Sequence, residues 1–469
     1  MPVGDVVPEL ALALGAVAVL VFALFAPRRR QPVAALLALG AIGTAALASL
    51  AMLRGPQALS FFDTYAADGA AVWAKLILLG VAALVVLLSV EWFRTDPRHG
   101  EYYFLLLVST LGAVVLAAAA DLMELILGVV LSSAPGYVLA SYHRDSPRSG
   151  EAGIKYFLLG GLTNGALLYG AALLFGLAGT TTYPGLAEGL ASSRGVALVA
   201  AVALVAVALA FKLGAVPAHA WLPDVADGAP APVAAFLTTA PKVGALVALA
   251  RFALLLPEDG VGWRAAVAVL AAATMTLGNL AALWQEDVRR LLGWSAISQT
   301  GYALMAVVAL GRSELAVPSL LLFLAAYALA NLAAFGVVVE LVGAADRSSY
   351  RGLASAHPLL AGALVIAFLS FVGIPPLVGF PAKLAVFAVA IEAGYAWLAV
   401  VAAANTVVSL AYYLRVVGPA YLERAPEPLP LLGQPAAVAT GLAALGVVAA
   451  GILADPLLRV FGLARLLRG

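Results

Sequence analysis

The chain has 469 residues, 64% of them hydrophobic and 11% charged, with a mean hydropathy of +1.04. Soluble domains carry about 25% charged residues, so the composition excludes a water-soluble fold and points to a polytopic all-α membrane protein. The alternating ten-residue strands of a membrane barrel are absent. A net charge of +1 offers no basic surface for nucleic acid, and the absence of cysteine excludes disulfides, thiolate metal sites and iron–sulfur ligation. The four histidines, at positions 99, 143, 219 and 357, lie far apart in the chain, so neither haem nor a multi-histidine metal site is expected.

The first apolar run, 7–26, is followed by Arg28, Arg29 and Arg30. A signal peptide places its charges before the apolar core, so this run reads as a retained transmembrane helix. Windows of about 20 apolar residues give about fourteen spans, at 7–26, 32–53, 69–91, 103–120, 122–141, 155–177, 195–214, 231–255, 262–284, 288–310, 315–342, 358–389, 394–415 and 434–454. An even number of spans puts both termini on one side. With the termini outside, the inner loops hold fourteen basic residues and the outer loops and tail eight, so the excess of inner arginines favours that orientation.

The organising stretch is Phe211 to Lys242, FKLGAVPAHAWLPDVADGAPAPVAAFLTTAPK. Five prolines, His219, Asp224 and Asp227 lie between its terminal lysines. A charge at bilayer depth costs about 2.5–3.5 kcal/mol on insertion scales, so a buried lysine is read first as functional. A proline-broken segment at that depth must be buried in protein or line a watery cavity.

GIPPLVGFPAK, Gly373 to Lys383, repeats the pairing of a lysine with proline breaks in the twelfth span. Paired broken helices in corresponding halves are the sequence mark of a transport site. The chain then divides into three N-terminal spans (1–102), a first five-helix unit (103–256), a second (257–420), and a last span with its tail (421–469). An odd number of spans per unit makes the two repeats inverted, with Lys212 and Lys383 in matching places.

Each candidate also has a plainer reading. Lys212 could be a helix-end lysine whose head reaches the headgroups, although the chain turns back into protein after it. Lys242 and Lys383 lie too deep for that. Lys75 fits an interface position as well as a functional one. His219 is a candidate proton switch or a hydrogen-bonded packing residue. Asp224 and Asp227 read as caps or water-facing groups. Glu124 reads as a loop residue or as the partner of a lysine across the bundle. Tyr302, Asn279, Asn331 and Asn405 suit interhelical hydrogen bonds as well as a water wire.

The runs EYYFLLLVSTLGAVVLAAAADLMELILG, GEAGIKYFLLGG, FKLGAVPAHAWLPDVADGAPAPV, EDVRRLLGWSAISQTGYALM, GIPPLVGFPAK and YYLRVV resemble the antiporter-like membrane subunits of respiratory complex I. The resemblance covers roughly residues 5–425. It implies fourteen helices in two inverted five-helix repeats with broken helices seven and twelve. It also implies proton translocation through Lys212, Lys242 and Lys383, driven by quinone reduction elsewhere.

NAD, FMN, iron–sulfur clusters and quinone would then belong to partner subunits of the membrane-embedded complex, with no redox chemistry in this chain. The expected location is the inner (plasma) membrane. The tail is too short for the long lateral helix of the largest such subunit. Two positions depart from the family pattern: Val130 stands where a helix-five glutamate is expected, and Gln299 where helix ten usually has a histidine. A multi-subunit sodium/proton antiporter subunit and a non-pumping scaffold are the alternatives.

Overall fold

The computed structural model describes residues 3–191, 193–257, 262–424 and 430–467. Thirteen of its helices are long and apolar enough to cross a membrane. The first six spans are Val7–Phe25, Val33–Met52, Gly69–Ser89, His99–Ala118, Leu122–Ala140 and Pro147–Ala178. The seventh is in two pieces, Val196–Leu213 and Trp221–Gly228, and the eighth in two, Ala231–Leu237 and Ala240–Ala253. The ninth to eleventh are Trp263–Ala282, Val288–Val308 and Ala316–Glu340. A further crossing, the twelfth, is made by Pro358–Val372 and Gly379–Glu392, each half too short to span alone. Ala396–Leu422 and Gln434–Ile452 complete the set of fourteen.

The spans therefore fall where the hydropathy places them, and three details differ. The sixth helix begins eight residues before its apolar window, at Ser146, whose hydroxyl caps it by accepting from the Ser149 N–H. The eighth span is interrupted at Thr238 and Thr239, which no sequence signal marked. Small elements lie outside the spans, among them a β-hairpin (β1, Ala58–Ser60; β2, Tyr65–Ala67) and the short helices Tyr183–Leu190, Leu353–Ala356 and Ala454–Phe461.

Spans four to eight and nine to thirteen repeat one packing scheme. The first two helices of each unit pack along their length, the second packs on the third, and the third packs on both halves of the broken fourth. Glycines allow the closest approaches. A Cβ on Gly112 would lie 2.1 Å from the Ser132 nitrogen, and one on Gly278 would lie 2.6 Å from that of Ser298. The eleventh span, almost wholly buried, joins the two units: it packs against the first half of the eighth span, the tenth span and both halves of the twelfth.

Both ends of the described chain meet on one side of the bundle. Asp5 lies against Ser60 in β1, and the Leu467 N–H donates to Asp68 at 2.9 Å. Asp68 also caps the third span through the Ala71 N–H and forms an ion pair with Arg251 at 2.6 Å. Both side chains are fully buried, so each would be an isolated charge without the other. Asp68→Asn is expected to destabilise the fold by about 3–5 kcal/mol, read as a lowered midpoint in thermal unfolding of the purified protein in detergent.

Candidate functional site: a buried row of lysines

Lys212, Lys242 and Lys383 are 0%, 3% and 5% exposed, and each ends beside a break in a helix. Among the described residues none of the three has a carboxylate within ion-pair distance. Their ammonium groups are held by hydroxyls, backbone carbonyls and aromatic faces. That arrangement satisfies the donors without fixing the charge in place.

The seventh span stops at Gly214, whose φ of +66° suits glycine alone among unstrained residues. Lys212, two residues earlier, donates to Ser133 Oγ on the fifth span at 2.7 Å, and that hydroxyl donates on to the Val129 carbonyl at 2.7 Å. Two carbonyls freed by the break are taken up from elsewhere: Trp221 donates to that of Phe211 at 2.9 Å and Thr300 to that of Leu213 at 3.0 Å.

Lys242 begins the second piece of the eighth span and donates to Thr300 Oγ1 at 2.9 Å and to the Ala296 carbonyl. Thr300 has one proton and two acceptors within reach, the Leu213 and Ala296 carbonyls, both at 3.0 Å. Rotation of this hydroxyl thus switches a hydrogen bond between the seventh-span break and its own helix. Asn331 donates to both Thr238 and Thr239 at 2.8 Å, and Tyr327 donates to the Thr238 carbonyl at 2.7 Å. The eleventh span thereby closes the interruption in the eighth.

The twelfth span breaks at Gly373, φ +90°, followed by Pro375 and Pro376. Lys383 lies on the second half, whereas Lys212 lies on the first half of its span. The two lysines thus flank their breaks from opposite sides and do not take the same place within their spans. Lys383 folds back to donate to the Val372 carbonyl and to Thr406 Oγ1, both at 3.3 Å, with its Nζ 4.0 Å from the Tyr302 ring centre. Gln299, next to Thr300, donates to the Phe371 carbonyl at 3.3 Å. Residues 299 and 300 thus touch both broken helices. A small cleft is lined by Gln299, Tyr327, Ser370, Phe371 and Lys383, and Lys242 lies 5.6 Å over the Tyr327 ring.

The other candidates lie off this row. His219 sits in the link between the halves of the seventh span, its ring 5.7 Å from that of Trp294 and its Nδ1 without a hydrogen-bond partner among the described residues. Glu124 is one turn into the fifth span; the charged groups that act on it are Glu9, Lys75 and Asp121. Asp224 is paired with Lys155 at 2.7 Å and Arg290 at 2.6 Å, at the end of the bundle away from the termini. Val130, where the family pattern has an acid, is 42% exposed on the outer face, while Ser133 on the same helix turns inward to Lys212. Sequence reasoning missed Ser133, Thr300 and Thr406, because hydroxyl residues are common in apolar helices and bond to their own backbone there.

The family described as "NADH:quinone oxidoreductase/Mrp antiporter, TM" matches residues 119–409, which hold all three lysines and both proline breaks. The chain belongs to this family. Among relatives in the NADH:quinone oxidoreductase/Mrp antiporter family, NADH-quinone oxidoreductase subunit N of Mycobacterium sp. (strain JLS) is 45% identical over 85% of this chain and 84% of its own. NADH-quinone oxidoreductase subunit N 1 of Streptomyces griseus is 46% identical over 88% of each. A chain of respiratory complex I from Thermus thermophilus with bound aureothin superposes with a TM-score of 0.84 at 32% identity, covering 98% of this chain and 100% of that one. A chain of the Mrp complex from Dietzia sp. DQ12-45-1b has the same fold, with a TM-score of 0.84 at 21% identity over 99% and 97%.

A Cβ on Gly373 would sit 3.2 Å from Lys383 Cδ in a backbone conformation unfavourable to L side chains. Gly373→Ala is expected to lower stability by about 1–3 kcal/mol, and Gly362→Ala, where a Cβ meets open space, to change it little; thermal unfolding of the two variants side by side measures the difference.

Proposed function

We infer that this chain is a proton-translocating membrane-arm subunit of an NADH:quinone oxidoreductase, equivalent to subunit N of its relatives. It works beside other membrane-arm subunits, and redox centres and quinone chemistry belong to partner chains. The observation that carries this reading is the row itself: three buried lysines, each at a helix break, joined by Thr300, Gln299 and the Tyr327 cleft. A lysine held by neutral groups can give up its proton without stranding a paired carboxylate, which an ion pair would prevent.

In this reading Lys212 and Lys383 serve the first unit (103–256) and the second (257–420), and Lys242 connects them. Thr300 changes its acceptor as the charge on Lys242 changes. Gln299 positions the twelfth-span break and does not titrate. His219 supplies protons from the side opposite the termini, which is the cytoplasmic side if the termini face outward across the plasma membrane.

Val130 and Gln299 favour a second reading, in which the fold is retained as a non-pumping scaffold. Lys212→Ala separates the two. In vesicles containing the assembled complex, pumping predicts that the rate of proton uptake driven by quinone reduction falls by tenfold or more, about 1.4 kcal/mol or above in the rate-limiting step. A scaffold predicts almost no change. Thr300→Val keeps the side-chain volume and removes the switching hydroxyl; it is expected to slow proton uptake severalfold while the complex assembles normally, as judged by its migration on native gels.

A further inference from the structure

A second cluster of buried ionisable groups lies among the first, third and fifth spans, at the end of the bundle that carries the termini. Its central residues, Glu9, Tyr65 and Lys75, all precede the 119–409 segment that defines the family. Lys75 is fully buried and its Nζ lies 2.8 Å from Glu9 Oε1. The Tyr65 hydroxyl from β2 touches three groups: Lys75 Nζ, Glu9 Oε1 at 2.8 Å and the Asp5 carbonyl at 2.9 Å. Asp5, which is part-exposed, is hydrogen-bonded to Ser60 in β1. Glu124 faces the same cluster from the fifth span and lies within electrostatic reach of Glu9, Lys75 and Tyr65.

Two observations show more than a structural ion pair. Glu9 Oε2 and Glu124 Oε2 are both buried and have no hydrogen-bond partner among the described residues. An ionised oxygen left so would be costly, whereas a protonated or water-bound one is not. The charge balance points the same way. Glu9 and Glu124 face one ammonium, so one negative charge suffices to neutralise it and the other carboxyl can keep its proton. The remaining charged groups nearby are Asp5 and Asp121, which add negative charge, and Arg251, which is committed to Asp68. Burial, and after it the Glu9 carboxylate, raise Tyr65 well above the usual phenol range, so its hydroxyl remains a neutral donor.

We propose that Glu9, Glu124 and Lys75 form a proton-holding site that exchanges its proton with the water on the termini side at Glu9, beside Tyr65 and the part-exposed Asp5. The inference builds on the proton-translocating reading and adds to it an exchange point outside the lysine row. The step balances simply: a proton moves from the Lys75 ammonium over the Tyr65 hydroxyl to the Glu9 carboxylate, turning the ion pair into a neutral pair. Once that proton has left to the water on the termini side, Glu124 passes its own proton to Lys75 and is reprotonated from the interior, so the site returns to one ammonium, one carboxylate and one carboxyl.

The test uses the assembled complex in vesicles, with Glu9→Gln, Tyr65→Phe, Glu124→Gln and Lys212→Ala compared for protons moved per quinone reduced. Infrared difference spectra taken across a pH titration read the protonated carboxyl directly. The expected result is a lower proton ratio in Tyr65→Phe and Glu124→Gln, which conserve size and packing, and loss of a titrating carboxyl band in Glu124→Gln and Glu9→Gln. If Tyr65→Phe and Glu124→Gln keep the full ratio while Lys212→Ala loses it, the cluster is an anchor for the first span and the proposal is overturned, although pumping through the lysines stands. A carboxyl band unchanged in both glutamine variants overturns it as well. If Lys212→Ala also pumps normally, the reading of the lysine row has failed instead.

Discussion

Within the hydrocarbon of a bilayer a carbonyl or N–H freed from a helix must be satisfied by protein or by a water-filled cavity. This chain interrupts three spans, and the rest of the fold is arranged to close them. Trp221 and Thr300 take the carbonyls of the seventh, Asn331 and Tyr327 bond to the interrupted turn of the eighth, and Gln299 and Lys383 take those of the twelfth. The tenth and eleventh spans supply most of these groups, which explains why both are buried almost completely while the first, second and fourteenth spans keep a largely apolar outer face. The lysines follow from the same constraint. A broken helix end offers unpaired carbonyls, and an ammonium group is the donor that can use several of them at once.

Hydroxyl groups give the row its character. An ion pair at each lysine would hold the charge in a deep well, and moving it would expose a carboxylate. Ser133, Thr300 and Thr406 accept from the lysines while donating to backbone carbonyls, so they solvate a charge and tolerate its departure equally. Val130 points outward beside Ser133. In this chain the neutral hydroxyl stands in the inward position, and among the described residues no carboxylate pairs with Lys212.

Much of this was legible from residue types alone. Isolated lysines and prolines in apolar runs stand out, so the seventh and twelfth breaks and all three lysines could be named before any coordinates. The break in the eighth span could not. Thr238 and Thr239 are compatible with a helix, and only Asn331 and Tyr327, some ninety residues away, reveal that the turn is open. Glu124 read as a loop residue or as the partner of a lysine across the bundle, and its neighbours, Glu9 and Lys75, are brought to it by three helices whose packing no local pattern encodes. Lys75 likewise fitted an interface position as well as a functional one, because its partner lies 66 positions earlier in the chain.

The tail contacts carry a consequence for biosynthesis. Asp68, at the head of the third span, is completed by Arg251 and by the Leu467 N–H, and Arg251 in turn donates to the Leu467 carbonyl at 2.9 Å. The third span is synthesised early and its Ala71 cap is local, but the full set of bonds to Asp68 and Arg251 is complete only once residue 467 has been made. The joint is thus a latch across the sequence: residue 467 locks a position roughly four hundred residues before it.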